Sequence, residues 1–421
     1  MYRKLTPRGA GLTPQEIVSN QRARMYAAMI ETVAERGYAA TSIRRLRILA
    51  SVSPDTIYRE FHNKEGYFLA TYDVIVARAV KNVNTAFLSE GNRTRQLQTG
   101  FAAFAQEVVQ QPKAARLALV EALGAGPAVL VRMERASEAF ERLIQSSFER
   151  APDGVTLPPL VARGIVGGIS RVVRQLLIDG REDELPPLAD ELLKWVLAYR
   201  SPGAERLPIA PEPQFRKRPP PNESPRQDDR ERVLHAAARI AAGDGYESLT
   251  VERIVQLSEV PEEAFFSLFK TPGECFLASY DLLGSVIVGA AAEAAANAHN
   301  WIEGMEDGIA ALMRRLGRDP VFARIAFVEV FSAGPAGIGR RSELMQRFTD
   351  LLMSNVPAIH RPPEVVAEAI VGAVWQIAHS YVLRGAAHQL PELTDHATYM
   401  VLAPLIGGDA AMERVLRRAE G

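Results

Sequence analysis

An all-α protein made of two tandem copies of one domain pair is what this sequence predicts, and three observations carry the prediction. Apolar residues return every three or four positions over long stretches cut by Gly and Pro, which reads as helix and leaves little room for strands. A register of 208 residues aligns Arg24–Asp73 with Arg232–Asp281 without a gap, and 14 of the 50 positions are identical. The same register pairs "PKAARLALVEALGAGP" (112–127) with "PVFARIAFVEVFSAGP" (320–335). After a three-residue slip, "VARGIVGG" from Val161 meets "VAEAIVGA" from Val366. A repeat that long is a whole domain pair of roughly 190 residues, not a solenoid unit. A chain of 421 residues also exceeds what one core ordinarily serves. About nine or ten helices are expected in each copy.

The first copy opens with a basic leader, residues 1–20, carrying Arg3, Lys4 and Arg8. Thr13-Pro14-Gln15-Glu16 has capping-box spacing with Pro at the first helical position, so a helix should run from there to Gly37. Arg230 to Gly243 plays the same part in the second copy. A short helix follows from Ser42 to Ala50, with Ile43, Leu46 and Leu49 on one face. Then come a tight break at Ser51-Val52, Ser53 as cap, Pro54 in the first turn, and a helix to Phe61. Two short helices joined so closely form a helix-turn-helix, whose second helix fits a major groove. Ile57 and Phe61 share its inner face at i, i+4, so Pro54, Asp55, Thr56, Tyr58 and Arg59 should point outward.

Charge separates the two copies. Met1–Asp73 holds eleven Lys/Arg against seven Asp/Glu, a balance of +4; Asp228–Asp281 holds five against eleven, a balance of −6. The net charge of the whole chain is only −1, so any case for nucleic acid rests on this local excess. Arg44, Arg45, Arg47 and Arg59 flank the capped helix of the first copy. In the second, Glu262 and Glu263 stand where the first has Pro54 and Asp55. Ala264, Phe266 and Pro272 replace Thr56, Tyr58 and Lys64 there. Carboxylates at those positions repel a phosphate backbone, although they suit a helix N-terminus.

The stretch "GYAATSIRRLRILASVSPDTIYREFHNKEGYFLATYD" resembles the DNA-binding domain of the TetR family of one-component transcriptional regulators. The resemblance covers about 50 residues of each copy and rests on Gly-Tyr, Val-Ser, Thr-x-Tyr-x-x-Phe, Lys-Glu and Phe-Leu. It implies that a helical domain for ligand binding and dimerisation follows each helix-turn-helix. It further implies that Tyr58 and Lys64 contact phosphates, that Ser42 caps the unit's first helix, and that Thr56 and Arg59 face bases. The expected DNA-facing set is Ser42, Arg44, Arg45, Arg47, Ser53, Pro54, Asp55, Thr56, Tyr58, Arg59, His62 and Lys64. Two departures from the family pattern stand out: Arg47 replaces a small residue, and Ser51 replaces a turn glycine. Arg47 either reaches outward along its aliphatic stem to a phosphate, the favoured reading, or splays the unit.

The domain plan is then a first helix-turn-helix at 21–73 and a first ligand-binding and dimerisation domain at 74–200. A Pro-rich linker at 201–229 follows, then a second, acidic helix-turn-helix at 230–281 and a second helical domain at 282–421. The linker's prolines and charges make it a solvated connector, not a core element. Two carboxylates interrupt apolar runs, Glu121 and Glu329. Arg116 and Arg324 precede them by five residues, about 140° away on a straight helix, so each carboxylate should need another partner. Structural pairing is the expectation for them, and effector contact the alternative. Trp375, Gln376 and His379 on an apolar helix are candidates for core or pocket lining. Gly164, Gly167 and Gly168 should permit close helix packing.

Composition excludes several classes. The lone Cys275 rules out a disulfide framework within the chain. No leader-like opening and no apolar run near ~18 residues is evident, so no membrane partner and a cytoplasmic location are expected. "GPAGIG" at Gly334 lacks a preceding strand, and there is neither a Walker loop nor an HExxH pair, so no enzyme, cofactor or metal is expected. The reading is a regulator, a repressor, that binds double-stranded DNA through its first copy and responds to a small-molecule effector. Val161–Tyr199 and Val366–Ile406 should pack as a four-helix interface, making the chain a monomeric pseudo-dimer, with a homodimer as the rival. A protein that sequesters a related regulator without touching DNA is the alternative function.

Overall fold

The computed structural model describes residues 13–90, 93–149, 154–216 and 228–420, so the basic leader with Arg3, Lys4 and Arg8 lies outside the described residues. These residues contain helices and no strand. The N-terminal half holds α1 (Pro14–Arg36), α2 (Ile43–Ala50), α3 (Pro54–Glu60), α4 (Lys64–Ser89), α5 (Arg93–Gln110), α6 (Pro112–Leu119), α7 (Pro127–Glu149), α8 (Pro159–Asp179) and α9 (Leu185–Leu197). The C-terminal half holds α10 (Asp229–Asp244), α11 (Val251–Ser258), α12 (Glu262–Leu268), α13 (Pro272–Ala296), α14 (Trp301–Arg318) and α15 (Pro320–Phe327). It continues with α16 (Gly334–Asn355), α17 (Glu364–Leu383), α18 (Thr394–Ile406) and α19 (Gly408–Glu420).

Helix ends follow the sequence signals. Thr13 caps α1 through a reciprocal box: its N–H donates to Glu16 Oε2 at 2.8 Å, and Glu16 N–H donates to Thr13 Oγ1 at 3.2 Å. Ser42, Ser53 and Asn63 cap α2, α3 and α4 one way only, each side chain accepting from a first-turn amide that no helical carbonyl can reach.

Two compact units compose the chain: 1–140 with 173–189, and 141–172 with 190–421. The first unit gathers Met25, Met29, Leu46, Ile57, Phe68 and Leu117 into one core, which ties the helix-turn-helix to α6. In the second unit Val233, Ala237, Ile254, Phe265 and Phe269 do the same for α10–α12.

Within the second unit, residues 159–172 of α8 press against α17 and α18. A methyl added to Gly167 would overlap Gln376 Cβ, and one added to Gly168 would overlap Trp195 and the Ala369 carbonyl. Gly164 lies against Met400 and Ile377. The glycines therefore serve helix approach. One contact is reciprocal: as Gly167 meets Gln376, Gly372 meets Arg171. In the 205-residue register that pairs Val161 with Val366, Gly167 corresponds to Gly372 and Arg171 to Gln376. Tyr199 extends the contact by donating to the Met400 carbonyl at 2.8 Å.

Two expectations need correction. The linker is not solvated throughout, because its first half docks on the second unit. Ser201, Gly203 and Ala204 are buried beside Asp409, and Ser201 hydrogen-bonds that carboxylate. Gln214 N–H donates to Gln389 Oε1 at 2.7 Å, Gln389 Nε2 donates to the Glu212 carbonyl, and Tyr381 donates to the Pro211 carbonyl. These side chains satisfy backbone groups that the proline-rich segment cannot pair by itself. The second correction concerns apolar length. Among the described residues α13 and α17 are long and apolar enough to cross a membrane, and the bent α15–α16 pair adds a third candidate. Scattered glycines and hydroxyls hide these stretches from a search for unbroken apolar runs. Within the second unit, α17 contributes Ile370, Ile377 and Tyr381 to the buried interior.

Candidate nucleic-acid interface and the joint behind it

The first helix-turn-helix is held at its corner by Arg24. This buried guanidinium donates to the carbonyls of Ala50 at 2.6 Å and Ser51 at 3.1 Å, closing the C-terminus of α2. Ser51 adopts the left-handed conformation (φ 51°, ψ 52°) that the tight turn demands, in place of the expected glycine. The second copy reproduces the device. Arg232 donates to Ser258 and Glu259 carbonyls, and Glu259 has φ 54°. Among the described residues Ser51 and Glu259 are the non-glycine residues with positive φ, and they lie 208 positions apart.

With the corner fixed, α3 buries Ile57 completely, and Phe61 stacks on Tyr67 at 4.3 Å. Tyr58 is 58 % exposed; Pro54, Asp55, Arg59 and His62 are exposed as well. Thr56 departs from expectation. It is only 8 % exposed, because its hydroxyl and amide both turn back to Ser53 Oγ at 2.8 and 3.2 Å. It supports the cap of α3 and does not stand on the outer face. On α2, Leu46 and Ala50 are buried and Ile43 is half-buried, whereas Leu49 is 38 % exposed. Ser42 and Arg44 are exposed, Arg47 is half-buried without splaying the unit, and Arg45 pairs with Glu35 at 3.3 Å. Lys64 lies 4.3 Å over the Tyr38 ring and donates to the Tyr38 carbonyl at 3.2 Å, leaving two of its three ammonium hydrogens for another acceptor. Partial burial lowers its pKa.

The same frame carries other chemistry in the second copy. Tyr246 meets Phe276 edge-on at 5.1 Å, as Tyr38 meets Phe68 at 4.9 Å. The α12 helix has lost its side-chain cap, since Pro261 replaces Ser53, and Glu259, Glu262, Glu263 and Phe266 are exposed.

Glu121 and Glu329 form a joint behind each head. Glu121 accepts the Tyr38 N–H at 3.3 Å and approaches Arg116 Nε at 3.6 Å; Glu329 accepts the Tyr246 N–H at 3.1 Å and the Arg324 Nε–H at 2.9 Å. The expected 140° separation of arginine from glutamate fails because neither helix continues. Each ends two residues before the carboxylate, at Leu119 or Phe327, and a 3-10 turn brings the carboxylate back over the arginine. Burial raises the Glu121 pKa, opposed by the Tyr38 amide and Arg116.

Of the remaining candidates, Trp375 lines a cavity of about 100 Å³ in the second unit, built by α13–α18. Gln376 and His379 are not in its wall; Gln376 packs on Gly167. Sequence patterning missed the cavity because Met305, Met313 and Leu344 have the spacing of ordinary core. Among the described residues no group of three or more His, Cys, Asp or Glu could hold a metal ion.

Residues 26–71 match the family model for bacterial regulatory proteins of the tetR family. The first head is thus a helix-turn-helix domain of tetR type. No curated protein matches the chain. Among solved structures, the fatty acid degradation regulator FadR from Bacillus halodurans is 17 % identical with a TM-score of 0.38, over 42 % of this chain and 97 % of that one. FadR from Bacillus subtilis, in complex with stearoyl-CoA, is 15 % identical with a TM-score of 0.39, over 41 % and 96 %. A TetR-like regulator from Rhodococcus sp. RHA1 is 19 % identical with a TM-score of 0.36, over 43 % and 97 %.

Proposed function

We propose that this chain is a transcriptional repressor whose first helix-turn-helix reads double-stranded DNA and whose second supports the fold without reading. The observation that carries the reading is the contrast between corners at corresponding positions of the 208-residue register. Arg44, Tyr58 and Arg59 are exposed on one; Glu252, Phe266 and Ser267 are exposed at the same positions of the other. Anionic DNA is attracted by the first set and repelled by the second. In this reading a small molecule in the helical domain shifts the chain between DNA-competent and incompetent states. The joints at Glu121 and Glu329 couple each head to the helix behind it. The reciprocal contact of Gly167 with Gln376 and Gly372 with Arg171 supports an intramolecular pseudo-dimer, since self-complementary pairing is what two-fold symmetry imposes.

Selection of bound sequences from a random DNA pool by the purified chain tests the reading. A defined site whose recovery falls when Arg59 is changed to Ala is expected. Recovery of no site, together with co-purification of a related regulator, would instead support a sequestering protein.

A further inference from the structure

Within the first unit the joint behind the reading head reaches further than its carboxylate. Arg116 donates from a terminal guanidinium nitrogen to the Leu177 carbonyl at 2.9 Å, and Arg174 Nε–H donates to the Leu119 carbonyl at 2.7 Å. Leu177 lies in the last turn of α8 and Leu119 ends α6, where the final carbonyls have no helical amide to receive. Each arginine therefore closes the end of the other's helix. The clasp falls where Glu121 needs it, because the 3-10 turn that carries Glu121 starts two residues beyond Leu119.

From Glu121 a line of contacts runs to Lys64. Glu121 accepts the Tyr38 N–H at 3.3 Å, and Lys64 donates to the carbonyl of the same tyrosine at 3.2 Å while lying over its ring. Gly37 leaves room for the carboxylate, since a Cβ there would come within 3.2 Å of Glu121 Oε2. Tyr38 is thus held at its amide by Glu121 and at its ring by Phe68. A lysine ordinarily loses the freedom of a flexible four-carbon stem when it meets a phosphate, and one already seated loses less.

The second copy keeps the carboxylate and changes both ends of the line. Arg324 gives its Nε–H to Glu329 at 2.9 Å. His379 stands at the place of Arg174 in the 205-residue register, and Pro272 at the place of Lys64 in the 208-residue one. The paired arginines occur in the copy that has a lysine to seat.

We propose that Arg116 and Arg174 are positioning residues for DNA binding: their clasp fixes Glu121, and through Tyr38 it seats the Lys64 ammonium where a backbone phosphate meets it. The inference rests on the reading of the first head as the one that binds DNA, and it adds two residues that act without touching the duplex.

Phosphate contacts are made to any sequence, so a short labelled duplex of random sequence at low salt is the probe. Arg116→Gln and Arg174→Gln should each weaken its binding about 3- to 10-fold, the cost of ordering one long side chain. In a Lys64→Ala background the same changes should cost less than about 2-fold, as independent sites would not allow. Arg324→Gln should leave binding unchanged. A long-range effect of the lost charge, or a general loosening of the fold, would persist without Lys64. Circular dichroism checks folding, and exchange of the Tyr38 amide, followed without DNA, should quicken in both variants. Equal losses with and without Lys64, or unchanged Tyr38 exchange, would overturn the proposal. A parent chain that binds no duplex defeats the regulator reading and this inference with it. A parent that binds, with variants that fail these marks, defeats the inference alone.

Discussion

Ser51 shows at the residue scale how a backbone requirement outlives the residue usually chosen for it. A left-handed residue with a Cβ costs roughly 1–2 kcal/mol, which glycine avoids at some expense in unfolded-state entropy. Ser51→Gly should therefore stabilise the first unit by roughly 0.5–1 kcal/mol, read as a higher urea midpoint. Ser51→Val should lower it, because a β-branched side chain fits that conformation worst. Glu121 gives a second residue-scale outcome. Its folded pKa is raised, so the stability linked to it is present below the unfolded carboxyl pKa and is lost as pH rises through the folded value. Glu121→Gln has no charge to bury, so stability relative to the parent should move in the variant's favour as pH rises from 4 to 7. Urea titrations of both proteins across that range check the sign.

The helix-turn-helix elements were legible in the sequence because their signals are local. Thr13, Ser42 and Ser53 each announce a helix start through one side chain and an amide two or three residues on. What escaped depends on distant geometry or on where a helix stops. Arg116 meets Glu121 only because the helix ends between them, and no periodicity argument marks that end. Thr56 sits on the nominally outer face yet turns inward to Ser53. The docking of 201–216 depends on Gln389, far along the chain, which composition cannot reveal. At this scale the division between the heads is testable by mutation. Tyr58→Phe and Lys64→Ala should weaken binding to all sequences, and loss of the Lys64 charge should flatten the logarithmic salt slope by about 0.9. Arg59→Ala should cost about 1–3 kcal/mol at particular base pairs if its contact is bidentate. Changing both Glu262 and Glu263 to Gln should leave affinity unchanged or raise it, measured by fluorescence anisotropy on one labelled site. Loss of specific binding by a folded double variant would make the acidic head a reader.

Across the whole molecule, acid sensitivity should trace to one buried histidine of α18. His396 is buried, and desolvation depresses its pKa to about 4 although it donates to the Pro208 carbonyl. A depressed imidazole pKa means the unfolded chain takes up the proton first, so stability is full above about pH 6.5 and falls as pH drops towards 4. The loss should be on the order of 2 kcal/mol, and His396→Gln should flatten it in urea melts at pH 7.5 and 5. Assembly is tested at the same scale. Light scattering should give the 46.2 kDa of a single chain, whereas a mass near twice that value favours a homodimer. If the crossing of α8 with α17 is the interface of the proposed pseudo-dimeric repressor, it has a consequence for gene dosage. Partners on separate chains fall apart once diluted below their dissociation constant, but tethered partners keep a millimolar effective concentration however scarce the protein is. Operator occupancy would rise with the first power of the number of chains in a cell, not the second. A handful of molecules would then repress in proportion to their number, with no threshold to cross before the first reading head is assembled.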